Sequence, residues 1–244
     1  MENTPLIKVI TFDLDDTLWH VEPVLLFAEQ QVYRWLQSKA PRLTTLFTPQ
    51  QLTDMRKKNH QQLPDLKHQI SQLRIRSMEQ ALELAGYKQP QVKQLALQAF
   101  EVFITARHQV SVFDTVTPLL EQLQQKYRLG VLTNGNANIY NLALGKYFDF
   151  AFSAEQLNAS KPASDHFIAA QQASNASAAQ IIHIGDHIEH DILAAQQSGC
   201  YSIWFNPQGQ AHSSAIQPSE QVRCLSEVPA AIANIETRLR AQQL

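Results

Sequence analysis

The chain has 244 residues, 44% of them hydrophobic and 17% charged, with a formal net charge of −2. That is an ordinary globular composition, long enough for a substantial core and without the basic footprint of a nucleic-acid or anionic-membrane binder. No apolar run approaches the ~20 residues that span a bilayer, and Cys200 and Cys224 form no CxxC pair, which suits a reducing, cytoplasmic setting rather than a disulfide scaffold or a zinc site.

The first predicted element is a strand at Leu6–Phe12, an almost continuous apolar run. It leads directly into Asp13, Asp15 and Asp16, three acids within four positions. Such mutual repulsion implies that a cation belongs there. From Val21 to His108 the pattern changes. Leu25, Leu26, Val32, Trp35 and Leu36, and later Leu82, Leu84, Leu95 and Phe103, fall at helical spacing, and Pro41, Pro49, Pro64 and Pro90 divide the segment into roughly four helices. The sheet pattern resumes near Thr115 with strands at Leu129–Thr133, Ile181–Gly185 and Tyr201–Phe205, separated by helices at Ala163–Ala173 and Glu189–Ser198. The tail from Pro207 to Leu244 reads as an irregular loop and a closing helix. The predicted fold is α/β: a Rossmann-like, mostly parallel sheet core from residues 1–20 and 109–244, with an α-helical bundle inserted at 21–108.

Ligands of open α/β sheets collect beyond the carboxyl ends of the strands. Here those ends deliver Asp13, Thr133–Asn134 and Asp186, with Asp191 shortly after, and Lys161 stands in a loop before a helix. Asp13 and Asp186 are candidate oxygen ligands for Mg²⁺, which takes few protein carboxylates and shares the rest of its shell with water and phosphate. Lys161 adds a fixed positive charge, and Thr133 with nearby backbone N–H groups can bond phosphate oxygens. A carboxylate nucleophile can form an aspartyl-phosphate, and Asp15 is placed to act as acid and then base. The set meets the needs of phosphoryl transfer to water from a small phosphorylated metabolite.

DLDDT at Asp13–Thr17, TN at Thr133–Asn134, KP at Lys161–Pro162 and GDHIEHD at Gly185–Asp191 resemble, in order, the four motifs of the haloacid dehalogenase superfamily. The helical insertion resembles its first class of cap. The resemblance implies Asp13 as nucleophile, Asp15 as general acid/base, and Mg²⁺ held by the Asp13 carboxylate, the Asp15 carbonyl and Asp186. It also implies Asp191 in the outer shell, Thr133 and Asn134 on phosphate, and Lys161 neutralising both nucleophile and phosphate. Asp15 favours phosphatase over dehalogenase chemistry, because halide leaves without a proton and an alkoxide does not. His187 varies in that family and leaves the metal set intact. The stretches RSMEQALELAG (Arg76–Gly86), VLTNGNA (Val131–Ala137) and SKPASDHF (Ser160–Phe167) resemble bacterial flavin-pathway phosphatases, which implies FMN or 5-amino-6-(5-phospho-D-ribitylamino)uracil as substrate. Alternatives are a sugar-phosphate phosphatase with the same site, a phosphomutase, and a non-catalytic phosphate binder.

Blander readings stand beside these. Asp16 reads as a turn residue or cap rather than a ligand, and Thr17 as a turn former. Trp19 reads either as part of a mobile flap or as simple packing. His183, His187 and His190 cluster near the last motif, yet nothing completes a tetrahedral zinc set. His183, between two isoleucines in a strand, reads as a satisfied buried residue. Arg74 and Arg76 are candidates for substrate contact, with surface arginines as the ordinary alternative. Cys200 reads as a core thiol.

Overall fold

A computed structural model describes residues 6–211 and 216–242, and within them the chain divides into two compact units. One comprises Met1–Trp19, Ser111–Gly135 and Ile139–Leu244, and the other His20–Val110 with Asn136–Asn138. Residues 1–5 of the amino-terminal stretch, and 212–215 and 243–244 of the tail, lie outside the described residues.

The larger unit is built on a sheet of six strands: β1 (Val9–Phe12), β2 (Arg128–Thr133), β3 (Phe150–Ser153), β4 (Ile181–Gly185), β5 (Tyr201–Phe205) and β6 (Glu220–Val222). Their order is β3-β2-β1-β4-β5-β6, and every pairing is parallel. β1, β4 and most of β2 and β5 are buried, as near-continuous apolar strands must be when both faces are covered. The α/β fold class read from the pattern is the one observed. Two strands went unread. β3 is a four-residue edge strand and β6 a three-residue one whose residues, Glu220, Gln221 and Val222, carry little apolar signal.

The smaller unit holds α1 (Val21–Lys39), α2 (Pro41–Leu46), α3 (Pro49–Gln62), α4 (Ile70–Leu84) and α5 (Gln91–Arg107). That is five α-helices where four were expected, because Pro41 opens a short helix of its own at a position where its missing N–H costs nothing. Thr48 starts α3 with a capping box: its hydroxyl accepts from the Gln51 N–H at 3.3 Å while the Gln51 side chain accepts from the Thr48 N–H at 2.8 Å. Val24, Ala28, Val32 and Leu36 recur every fourth residue and give α1 one buried stripe. Ala28, Val32 and Leu36 join Leu82, Val92, Leu95 and Phe103 in a core belonging to this unit alone, each large side chain contributing about 2 kcal/mol of burial. Leu26 and Leu84, counted in the helical spacing, are exposed at 56% and 59%, because each lies off its helix's buried stripe.

The remaining helices of the larger unit are α6 (Val116–Leu123), α7 (Ala154–Leu157), α8 (Asp165–Ser174), α9 (Ala194–Gln197) and α10 (Val228–Ala241). The helix expected over Glu189–Ser198 begins instead as a π-helical turn over Ile188–Leu193 before α9. Both the Asp191 and the Ile192 N–H donate to the His187 carbonyl, at 2.9 and 3.3 Å. The second of these bonds spans five residues and widens the turn.

Candidate active site

The strand order turns at β1 and β4, which lie side by side while their connections run outward in opposite directions. A crevice forms at such a switch point beyond the carboxyl ends of the strands. Register fixes what stands there. Phe12 pairs with both Val131 and Ile184, so Asp13 and Asp186 emerge from adjacent strands with Thr133 on the other side. The Asp13 N–H extends the ladder to the Ile184 carbonyl at 2.9 Å.

Lys161 joins these ends. Its ammonium donates to Asp13 Oδ1 at 2.8 Å, to Asp191 Oδ1 at 2.5 Å and to the Leu132 carbonyl at 2.6 Å, so all three of its protons have acceptors. Burial works against its charge, but Asp13 and Asp191 outweigh burial and hold its pKa above the usual value. Asp191 is lowered: burial would raise it, and Lys161 and His183 more than reverse that. Burial pushes the Asp13 carboxyl well above the usual range, with Lys161 pulling the other way and Asp191 adding to the rise. Asp186 is raised to about 7 by burial and then by Asp191 and Asp16. Two of the three clustered acids thus resist ionisation as they stand, the electrostatic signature of a site suited to a further cation.

Oxygens of Asp13, Asp186 and Asp191 all lie within 4.8 Å of one another. The three are not equivalent. Asp191 Oδ1 accepts from Lys161 and from His183, and its Oδ2 accepts from the His187 N–H at 3.0 Å. Asp191 is therefore fully engaged in holding Lys161, whereas Asp13 and Asp186 offer the carboxylate oxygens. An all-oxygen donor set of this kind fits a hard divalent cation such as Mg²⁺.

The other predicted residues are reached in turn. Asp15 Oδ1 accepts from the Trp19 indole N–H at 2.9 Å. The Thr133 hydroxyl accepts from the Gly135 N–H at 3.0 Å, which folds the backbone after β2 into a tight turn. The Asn134 side chain takes both backbone groups of Lys161, accepting from its N–H at 2.8 Å and donating to its carbonyl at 3.0 Å. Asn134 thereby fixes the lysine loop. Asp16 has a φ of 58° and occupies the turn, and the Thr17 hydroxyl donates to Asp186 Oδ1 at 3.3 Å. His187 and His190 stack on one another at 3.9 Å, with His187 Nδ1 accepting from the Glu189 and His190 N–H groups as a helix cap.

A model of the haloacid dehalogenase-like hydrolases matches residues 7–199. The chain belongs to that family. An Escherichia coli (strain K12) relative, 5-amino-6-(5-phospho-D-ribitylamino)uracil phosphatase, is 31% identical over 230 residues, covering 93% of this chain and 96% of the relative. A solved 2-haloacid dehalogenase from Pseudomonas syringae pv. Tomato DC3000 is 42% identical with a TM-score of 0.89, covering 93% and 99% of the two chains. A magnesium-bound HAD-hydrolase of Bacillus subtilis is 21% identical with a TM-score of 0.62, covering 93% and 98%, and shares the fold.

Three positioning residues of this haloacid dehalogenase-like hydrolase escaped the sequence reading. Trp19 is completely buried and its N–H holds Asp15, a role hinted at only by its place four residues on. The Trp204 indole donates to the Asp186 carbonyl at 2.7 Å, with nothing in the sequence linking the two. His183 is satisfied as expected but also participates. Burial lowers its pKa and keeps it neutral, so Nε2–H donates to Asp191 at 3.1 Å while Nδ1 accepts from Thr11 at 2.9 Å.

Proposed function

We propose that this chain hydrolyses FMN or 5-amino-6-(5-phospho-D-ribitylamino)uracil through an aspartyl-phosphate on Asp13. That it is a phosphatase follows from its family and its E. coli relative. The observation that carries the chemistry is the buried Lys161 ammonium, bonded at once to Asp13 and to Asp191. It leaves one carboxylate beside a fixed positive charge, ready to meet a phosphate dianion.

A carboxylate oxygen of Asp13 attacks phosphorus while the ester P–O bond breaks, and Asp15 gives its proton to the departing oxygen. Asp15 then takes a proton from water, which attacks phosphorus, releases inorganic phosphate and restores Asp13. Lys161 balances charge on Asp13 and on the phosphate oxygens throughout. Asp13, Asp186 and the Asp15 carbonyl would hold Mg²⁺, which when bound neutralises the phosphate and orients it. Free cysteines, with the Cys200 thiol pushed up to about 12 by burial, fit a reducing cytoplasm.

The Pseudomonas dehalogenase, more identical to this chain than the E. coli relative at 42% against 31%, favours a second reading, displacement of halide from a 2-haloacid by Asp13. Asp15 weighs against it, since halide needs no proton to leave.

Phosphate and halide release decide between them. Wild type is expected to release phosphate from FMN or the uracil phosphate faster than from sugar phosphates, to stop in EDTA, and to release no chloride from 2-chloropropionate. Asp13→Asn should lose nearly all turnover while keeping its fold. Turnover by a folded Asp13→Asn protein would overturn the mechanism.

A further inference from the structure

Among the described residues, Trp19 is the largest side chain that is completely buried. Its backbone is fixed from two sides within the larger unit. The Trp19 carbonyl accepts from the Asp16 N–H at 2.8 Å, and Trp19 makes a parallel bridge with Asp15 and an antiparallel one with Val112. Beside it, the Leu18 N–H donates to the Leu14 carbonyl at 2.8 Å, and the Leu18 carbonyl accepts from the Phe113 N–H at 3.0 Å. A ring held this firmly has one polar atom, the indole N–H, and a buried N–H needs an acceptor. It finds Asp15 Oδ1 at 2.9 Å.

That contact is chemically one-sided. An indole N–H only donates, so the oxygen facing it accepts in either state of the carboxyl. A proton on Asp15 is therefore carried by Oδ2, and the clamp on Oδ1 sets the direction in which Oδ2 points. The carboxyl torsion of an aspartate is otherwise broad, and a fixed donor removes that freedom. Asp15 also stands close to the nucleophile. Burial is the main cause of the raised Asp13 carboxyl, and the Asp15 charge adds to it.

We infer that Trp19 is a positioning residue for proton transfer: its indole aims the Asp15 carboxyl at the departing ester oxygen. The inference rests on the phosphatase reading above and gives Trp19 a part in it beyond packing. In the first step an Asp13 oxygen bonds to phosphorus and the ester P–O bond breaks. The bonding pair goes to the departing oxygen, which takes the proton from Asp15. An alkoxide leaves badly without this proton, whereas 4-nitrophenolate leaves as the anion. Loss of the clamp should cost the first kind of ester and spare the second.

The test uses the full chain with Mg²⁺ as wild type, Trp19→Phe, Asp15→Asn and the double variant. A further protein carries 3-benzothienylalanine at position 19. That side chain keeps both rings and puts sulfur in place of the N–H, so the buried volume stays filled if Trp19→Phe does not fold. kcat/KM is measured on two alkyl esters, FMN and glycerol 3-phosphate, and on 4-nitrophenyl phosphate. This ratio covers the steps through loss of the leaving group, so hydrolysis of the shared aspartyl-phosphate does not enter. Removing the indole N–H should lower it on the alkyl esters about 10- to 100-fold, part of the ~100- to 10,000-fold that a positioned general acid supplies. On 4-nitrophenyl phosphate the change should stay below about twofold, since no proton transfer is lost there. Added to Asp15→Asn, the change at Trp19 should cost nothing more, because both remove one and the same proton transfer. Equal losses on alkyl and aryl esters would reduce Trp19 to packing and overturn the inference. So would a folded variant with unchanged alkyl-ester activity, a further loss in the double variant, or a wild type that cleaves the aryl ester alone. A wild type that releases phosphate from none of the three overturns the phosphatase reading itself, and the part given to Trp19 falls with it.

Discussion

His166 has one ring nitrogen that accounts for its chemistry and one that limits it. Nε2–H donates to the Thr133 carbonyl at 3.1 Å, which steadies the end of β2, while Nδ1 is buried without a hydrogen-bond partner. A bare lone pair is tolerable in that position, but a charged N–H would be buried with no acceptor. Burial, and then Lys161, accordingly lower this histidine from 6.5 to about 4. Because the unfolded chain binds the proton more tightly, the contribution of His166 is present above its unfolded pKa and is lost as pH falls towards the folded value. Between about pH 7 and pH 5 the loss should be about 2 kcal/mol. Other groups titrate across the same window, Asp186 with the opposite sign because its folded pKa is raised. The measurement is therefore the difference between wild type and His166→Gln in urea unfolding at the two pH values. Equal slopes in the two proteins would show that His166 does not carry the effect. Nothing in the string SDHFIA signals this role, because His166 lies in α8 and its partner, Thr133, at the end of β2.

At the scale of elements, what could be read depended on what was local. β1, β2, β4 and β5 announced themselves as apolar runs, and the residues at their ends followed from the rule that strand ends carry the ligands. Asp13, Thr133 and Asp186 were legible for that reason, and Lys161 from its loop before a helix. The partners that hold them were not: Trp204 reaches Asp186, and His183 reaches Asp191, through contacts that only the folded sheet creates. The π-helical turn after β4 was equally hidden, since its widening depends on two N–H groups sharing the His187 carbonyl. That turn brings Asp191 so close to β4 that Gly185 has no room for a side chain. A Cβ there would lie 2.3 Å from Asp191 Cγ and 2.4 Å from its Oδ2. Gly185→Ala should push Asp191 away from Lys161 and His183, costing about 1–3 kcal/mol of stability through overpacking. Displacing the lysine by about 1 Å should lower turnover about 100-fold. Thermal unfolding and phosphate release on the same preparation would check both, and full activity would mean that Asp191 does not position Lys161.

For the whole molecule, the larger unit carries every candidate catalytic residue and its holding partners. Asp13, Asp15, Trp19, Thr133, Asn134, Lys161, His183, Asp186, Asp191 and Trp204 all fall within its segments. Its core, with Val9, Leu132, Phe167, Ile181 and Ala194, is separate from the core around Leu36 and Phe103 in the other unit. The chain leaves the larger unit after Trp19 and re-enters at Ser111. Those two points are neighbours, because Trp19 forms an antiparallel bridge with Val112 and the Phe113 N–H donates to the Leu18 carbonyl at 3.0 Å. A connection of about 3–5 residues closes such a hairpin, and replacing so long a loop with a short one carries little entropic penalty. Replacing residues 21–110 with a short Gly-Asn-Gly linker is therefore expected to leave a sheet unit that melts in one cooperative step. With Mg²⁺ it should still release phosphate slowly from a small ester, because the acids and Lys161 remain. A shortened protein that fails to fold would show that the two cores depend on one another. One that folds and releases no phosphate would show that the residues of the larger unit do not suffice for the chemistry.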